Sequence, residues 1–365
     1  MLERVRLRNF KVCRGLDINI AKLTVLAGLN SSGKSSVLQS LALLRQSYTR
    51  TPFAGLTLNG DWTSLGTGRD VLSEEADNDE LSIGVIEDGQ SYSWLLRCPP
   101  DAYVLPIVHS PEFPPPVTQR DFFQFLQADR ITPATMYPNA PQRVRDAEEL
   151  GSHGEYTVDF FSRNREREVP AGRRAPDSRF APTAKLFDQV SAWLQTLSPG
   201  VRLDAEQLKG TDSVRLSYRY SGRRRDVTTV EYRPTNVGFG LTYVLPVVVA
   251  CLAAPSGSIL LLENPEAHLH PEGQLTLGRL LGLCVKDGVQ IIFETHSDHL
   301  LNGIRLAVKR KDLGSSDVAI HFFRRNLETG TVSVESPLVN ATGRLSFWPQ
   351  GFFDQWDKSL DELLD

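Results

Sequence analysis

The chain has 365 residues, 41% of them hydrophobic and 23% charged, with a net charge of −4 at neutral pH. That is the composition of a globular protein with a sizeable core, in one large domain or two modest ones. It gives no whole-chain attraction for nucleic acid, so any DNA contact would need local patches of Arg and Lys.

The N-terminus alternates apolar and polar residues through Val5-Arg6-Leu7-Arg8 and again through Leu16-Asp17-Ile18-Asn19-Ile20, the period of half-buried strands. Leu23–Ala27 reads as a buried strand, a Gly-rich turn follows, and Val37–Leu44 has the Leu and Ala content of a buried helix. Residues 50 to 235 are less regular. LTLNGDWTSLGTGRDV and ELSIGVIEDGQSYSWLLRC predict turn-rich β structure, and PPDAYVLPIVHSPEFPPP predicts a surface connection. A helix is expected over Ala184–Leu197, and the strands VRLSYRY and VTTVEYR flank a turn at SGRRR. The segment 162–180 holds six Arg against three acids. It reads as a solvated or mobile loop, with contact to a phosphate backbone or an acidic partner as the sharper alternative.

From residue 236 apolar structure returns: a helix over Leu241–Ala254, a strand Ile259–Leu262, a helix Gln274–Val285 and a strand Val289–Phe293. That succession implies a parallel α/β sheet. No heptad run or internal repeat is present. The stretch Val244–Ala254 is too short to span a bilayer and the N-terminus lacks an apolar leader core, so no membrane association and a cytoplasmic location are expected. Cys13, Cys98, Cys251 and Cys284 form no C-x-x-C pair and have no His at zinc spacing, which predicts buried thiols in a reducing compartment.

The strongest chemical signal is GLNSSGKS, Gly28–Ser35, lying between the predicted strand and helix. The backbone through Gly28, Asn30, Ser31, Ser32, Gly33, Lys34, Ser35 and Ser36 can form an anion nest closed by the helix N-terminus, the cradle of a nucleotide β-phosphate. Lys34 would reach the β- and γ-phosphates, and the Ser35 hydroxyl would ligate Mg²⁺. The second signal is ILLLENPEAHLHP, residues 259–271, which puts the Glu263 carboxylate at the end of a buried strand, where it would hold the Mg²⁺ water shell. The third is IIFETHSDHL, residues 291–300, which delivers Thr295, His296 and Ser297 to the same kind of strand end, with His296 placed for a γ-phosphate.

GLNSSGKS, LLLENPEAHLHP and FETHSDHLL resemble the Walker A, Walker B and switch-histidine elements of ABC-type ATPases related to RecF, SMC and OLD proteins. The chain is most similar to bacterial AAA-labelled ATPases with a DUF3696-type C-terminus. LQADRITP (126–133), TNVGFGLTYVLP (235–246) and FWPQGFFDQW (347–356) resemble further segments of that group. The resemblance implies an α/β fold of the P-loop NTPase, ABC-ATPase type: a mixed N-terminal β lobe plus a parallel sheet with flanking helices. The ATPase core would comprise residues 1–100 and 225–340, with an α/β subdomain inserted at 101–224 and an aromatic, acidic tail at 341–365. It further implies ATP and Mg²⁺ as cofactors, and a head-to-tail homodimer or higher homo-oligomer in which Asn236, Gly238 and Gly240 of one subunit face the γ-phosphate held by the other.

The wider ABC pattern follows the metal-binding acid with a Glu that polarises water, whereas Asn264 stands after Glu263 here, and an amide accepts no proton at neutral pH. Glu266 is one candidate base for turning ATP and water into ADP and phosphate, Glu263 serving both metal and water is another, and slow hydrolysis is expected. Beside Glu266, His268 and His270 at i and i+2 read as part of a turn rather than a metal site. Only the residues after 299 follow THSDH, and they contain no D-x-D cluster, so a metal nuclease is expected on a separate chain. The function that follows is an ATPase that regulates or recruits such an effector in anti-phage defence. A RecF-like repair ATPase using the Arg-rich loop on DNA, and a non-hydrolysing ATP-dependent scaffold, are the alternatives. In the acidic tail Trp356, Leu360, Leu363 and Leu364 fall near one helix face, to pack on the ATPase lobe or to dock a partner.

Overall fold

The computed structural model describes residues 1–49, 53–177, 179–220, 230–326, 328–352 and 362–363. The chain divides into two units, one of residues 1–119 and 292–365, the other of residues 120–291.

In the first unit the N-terminal alternation becomes a five-stranded antiparallel sheet. Leu2–Phe10 buries Leu2, Val5 and Leu7, and pairs with Cys13–Asn19 on one side and Glu80–Glu87 on the other. Glu80–Glu87 then forms a hairpin with Gln90–Arg97 through Asp88 and Gly89, both at positive φ (51° and 75°), as a tight two-residue turn between right-twisted strands requires. The Pro-rich stretch departs from the expected surface connection: Ile107–His109, just after Pro106, adds as an edge strand to Gln90–Arg97. An edge tolerates flanking prolines, because only one side of the strand needs its N–H groups.

A second sheet in this unit carries the nucleotide-binding turn. Leu23–Gly28 runs parallel to Val318–Arg325, which pairs antiparallel with Val332–Glu335, and Gln290–Thr295 is the other hydrogen-bonded neighbour of Leu23–Gly28. Leu23–Ala27 and Gln290–Thr295 are buried along their whole length, as strands covered on both faces must be, which is why their sequences do not alternate. Helix Lys34–Tyr48 follows, burying Val37, Leu38, Leu41 and Leu44. Each such side chain contributes roughly 1.5–3 kcal/mol. In the C-terminal aromatic run of this unit, Phe352 lies edge-on to Phe322 and Trp348 sits beneath the Arg305 guanidinium. Trp356, Leu360 and Leu364 lie outside the described residues, and Leu363 is exposed.

In the second unit Phe123–Leu126 and Ile259–Glu263 pair in parallel, and Met136–Pro138, Ser213–Tyr220 and Val201–Gln207 form an antiparallel sheet. Helix Phe239–Ala253 is apolar around its circumference and buried from Leu241 onward, the expected fate of a helix without a polar face. Helices Leu186–Leu197 and Pro271–Lys286 complete the packing. The SGRRR turn and the start of VTTVEYR lie outside the described residues.

In the Arg-rich segment 162–180 only part is solvated as its composition leads one to expect: Arg174 and Arg179 are exposed, while Arg163, Arg165, Arg167 and Arg173 are drawn onto partners. Arg163 pairs with buried Asp159 at 2.8 Å, Arg165 with Asp204 over the Phe187 ring, and Arg167 with Glu148 at 3.0 Å. Arg173 is 1% exposed, bonded to Asp287 and to the carbonyls of Cys251 and Ala254. Arg174 donates to the Val169 carbonyl, and Arg179 pairs with Asp177. The acids that match these guanidiniums come mostly from outside the segment, so a local charge count could not find them. All four cysteines are buried free thiols. Among the described residues no helix is long and apolar enough to cross a membrane.

Candidate active site

The P-loop turn is shaped by backbone that only certain residues tolerate. Gly28 has φ 140°, and a Cβ there would sit 2.3 Å from the Phe323 carbonyl oxygen on the neighbouring strand, so no side chain fits. Gly33, at φ 99°, lies against Val12 and Cys13 and precedes the helix with no side chain capping it. The first N–H groups of helix Lys34–Tyr48 are therefore not engaged by a capping side chain, the arrangement that binds anions. Asn30 and Ser31 are exposed on the turn, and the buried Ser32 hydroxyl ties it by donating to the Leu29 carbonyl at 2.7 Å. Ser36 is buried, its hydroxyl bonded to the Cys13 thiol.

Lys34 is 4% exposed and its ammonium donates to the Gly28 and Leu29 carbonyls at 3.0 and 2.8 Å. Burial holds it below the ordinary lysine value, with Glu294 opposing that shift. The Ser35 hydroxyl donates to Glu294 Oε2 at 2.7 Å. Glu294 is 5% exposed; burial raises its carboxyl, while the Ser35 hydrogen bond and the Lys34 charge pull it down. His296 is exposed yet held below the ordinary imidazole value by partial desolvation and by the Lys34 ammonium. At the next residue the Ser297 hydroxyl caps helix Asp298–Lys309 by accepting from the Leu300 N–H at 3.0 Å. The structure thus gathers Gly28–Ser36 and His296 in one place.

Glu294 joins this site without having been among the residues expected from sequence, although IIFE has the same form as LLLE, an apolar run ending in an acid.

In the second unit Glu263 is 7% exposed and its Oε2 accepts the Ala128 N–H at 3.0 Å. The turn after it is held by Arg130, from LQADRITP. The guanidinium donates to the Glu263 carbonyl at 2.6 Å, to the Asn264 carbonyl at 2.7 Å and to the Gln127 and Tyr243 carbonyls, and it stacks over the Tyr243 ring at 4.4 Å. Burial pulls Arg130 below its ordinary value against the attraction of Tyr243, Glu266 and Glu263. Asn264 takes φ 43°, a conformation Asn tolerates better than most residues. Glu266 is 5% exposed within this turn, which is closed by the Ala267 and Leu269 N–H groups bonding to the Asn264 and Glu266 carbonyls. His268 has its ring edge-on to Phe239 and Tyr243.

The same turn touches the start of helix Phe239–Ala253. A Cβ on Gly240 would lie 2.4 Å from the His268 carbonyl oxygen, whereas a Cβ on Gly238 would meet nothing within 4 Å. Asn236 and Gly238 are exposed, and no side chain caps the helix. Gly240 thus adjoins the turn that carries Glu263 and Glu266, whereas Asn236 and Gly238 lie exposed ahead of it.

A parallel strand feeding a Gly-framed P-loop, with an N-terminal lobe that is antiparallel rather than the mixed sheet expected, defines an ABC-type P-loop ATPase fold. Residues 23–302 match a family described as "AAA domain, putative AbiEii toxin, Type IV TA system", and the chain belongs to that family. Residues 313–363 match DUF3696, a domain described as a protein of unknown function. Among solved structures the chain is similar to an Smc head bound to the C-winged helix domain of ScpA, with 15% identity, TM-score 0.52, and coverage of 93% of this chain and 98% of the other. It is also similar to an Smc head domain with an extended coiled coil bound to the C-terminal domain of ScpA derived from Pyrococcus furiosus, with 15% identity, TM-score 0.52, and coverage of 100% and 99%. None of the curated proteins matches the chain. The two domains and the SMC-head fold together fit an ATPase of the SMC, RecF and OLD type.

Proposed function

We propose that this protein binds ATP with Mg²⁺ on Gly28, Asn30, Ser31, Ser32, Gly33, Lys34, Ser35 and Ser36, hydrolyses it slowly, and uses the bound nucleotide to join two copies of itself. The observation that carries the reading is the P-loop geometry: Gly28 pressed against the Phe323 carbonyl, a helix start without a side-chain cap, and a buried lysine and a half-buried serine at its first two positions. Backbone N–H groups and the Lys34 ammonium would bind the phosphates, and the Ser35 hydroxyl and the Glu263 carboxylate would serve the metal, which stabilises the charge developing on the transferred phosphoryl group. His296 would contact the γ-phosphate.

In this reading Asn236, Gly238 and Gly240 of one copy meet the γ-phosphate held by the other. The support is the exposed, open backbone at Gly238, where a Cβ would meet none of the described residues within 4 Å. Glu266 is the proposed base: it is buried in the turn after Glu263, where an amide replaces the expected acid. The joined state would regulate or recruit a separate effector, such as a nuclease, in defence against phage.

The test measures phosphate release and mass in solution with ATP, ADP and no nucleotide. ATP-dependent dimers and turnover that Glu266→Gln lowers by about 100-fold, with dimers retained, are expected of a lost general base. Monomers under saturating ATP would overturn the dimer, and full turnover in Glu266→Gln would move the base to Glu263. A second reading, an ATP-dependent switch without hydrolysis, is favoured by the amide at Asn264; dimers without phosphate release would select it.

A further inference from the structure

The carboxylate of Glu294 is placed where a P-loop ATPase has no need of an acid for folding. It lies at the end of the fully buried strand Gln290–Thr295, is 5% exposed, and accepts the Ser35 hydroxyl at 2.7 Å. A neutral Gln would accept that hydrogen bond equally well without the cost of burying a charge, which is several kcal/mol even after relaxation. The nearby cation, Lys34, donates to the Gly28 and Leu29 carbonyls instead.

ATP sharpens the difficulty, because its phosphates bring about four negative charges to a nest whose serine already touches a carboxylate. Like charges at such separations in a poorly solvated site repel by several kcal/mol. A divalent cation held by Ser35 removes the conflict, since the hydroxyl oxygen that now donates to Glu294 would bind the metal and leave the carboxylate facing it.

We propose that Glu294 is a metal-side carboxylate of the nucleotide site: it holds the Ser35 hydroxyl before nucleotide arrives, then faces the divalent ion that Ser35 ligates, directly or through a bound water. The inference rests on the ATP-binding reading above and adds a residue and a rule to it. Glu294 makes nucleotide affinity conditional on the metal, disfavouring free ATP and favouring the metal complex. Its oxygen chemistry suits Mg²⁺ or Mn²⁺.

The experiment titrates the full chain with a non-hydrolysable ATP analogue, once in excess Mg²⁺ and once in EDTA, for wild type, Glu294→Gln and Glu294→Asp. Mn²⁺ binding in the presence of ADP is followed by electron paramagnetic resonance. In Glu294→Gln we expect Mn²⁺ affinity to fall by about 10- to 100-fold, the usual effect of losing a carboxylate beside a metal. Affinity for the analogue in EDTA is expected to stay level or tighten, because the repelling charge is gone. Glu294→Asp, keeping the charge, should recover part of the Mn²⁺ affinity.

Wild-type Mn²⁺ affinity in Glu294→Gln would overturn the proposal and leave Glu294 a hydrogen-bond acceptor for Ser35. So would a parallel loss of affinity with and without metal, accompanied by a lower melting temperature. A wild-type chain that binds the analogue under neither condition would instead bring down the ATP-binding reading itself.

Discussion

Two strands of this protein end in the same way, an apolar run closed by a buried glutamate, and the two ends are held by different means. Glu263 is tied to main chain: its carboxylate accepts the Ala128 N–H, and its carbonyl and that of Asn264 are gripped by Arg130. Glu294 is tied to a side chain with chemistry of its own, the P-loop Ser35, next to Lys34. The form of a strand end therefore announces a carboxylate but not its task. The partner differs: a backbone N–H for Glu263, a side-chain hydroxyl for Glu294.

The difference can be broken first at Arg130. Arg130→Ala removes donors to four carbonyls at once, two in buried and two in part-buried hydrogen bonds, and leaving a buried group unsatisfied costs about 1–3 kcal/mol. A loss of about 3 kcal/mol or more in denaturant unfolding is expected. Arg130→Lys should recover little of it, because an ammonium lacks the planar fork. Stability unchanged in Arg130→Ala would mean that the turn after Glu263 is held by other contacts.

At the other strand end the expected effect is on binding rather than folding. Lys34→Ala should weaken ADP affinity by about 10- to 100-fold, the worth of one or two charge-assisted hydrogen bonds. Its melting temperature should stay level or rise, because the lysine is held below its ordinary value by burial. Calorimetric titration beside thermal unfolding separates the two quantities.

The glycines before helix Phe239–Ala253 sharpen the contrast further. Gly240→Ala forces a Cβ against the His268 carbonyl and should cost about 1–3 kcal/mol of overpacking in the isolated chain. Gly238→Ala meets open space and should leave unfolding unchanged within about 0.5 kcal/mol, while lowering ATP-dependent dimerisation. Equal effects of the two on monomer stability would remove the distinction between a packing glycine and one reserved for a partner.

The smallest expected effect concerns the thiols. Burial pushes Cys13 up to about 11 and Cys98 up to about 12. A raised thiol stays protonated further into alkali, and the thiolate is the reactive form, so both should resist iodoacetamide at about pH 8 until the chain is unfolded. Fast labelling of the native chain, read by mass spectrometry, would show that either site opens.

Local pattern and motif were enough for the P-loop, for the helix and strand on either side of it, for the strand ending at Glu263, and for the ABC-type ATPase class. These depend on neighbours in sequence: a phosphate nest is built from consecutive backbone groups, so spacing alone specifies it. Proximity in space decided the rest. Arg130 and Asn264 are 134 residues apart along the chain, and Ser35 and Glu294 are 259 apart. The arginines of 162–180 looked free only because Glu148, Asp204 and Asp287 lie elsewhere in the sequence. A hydrogen bond or ion pair between remote residues leaves no periodicity and no composition signal, so folding alone determines which acid holds the serine, which arginine holds the turn, and which glycine has room.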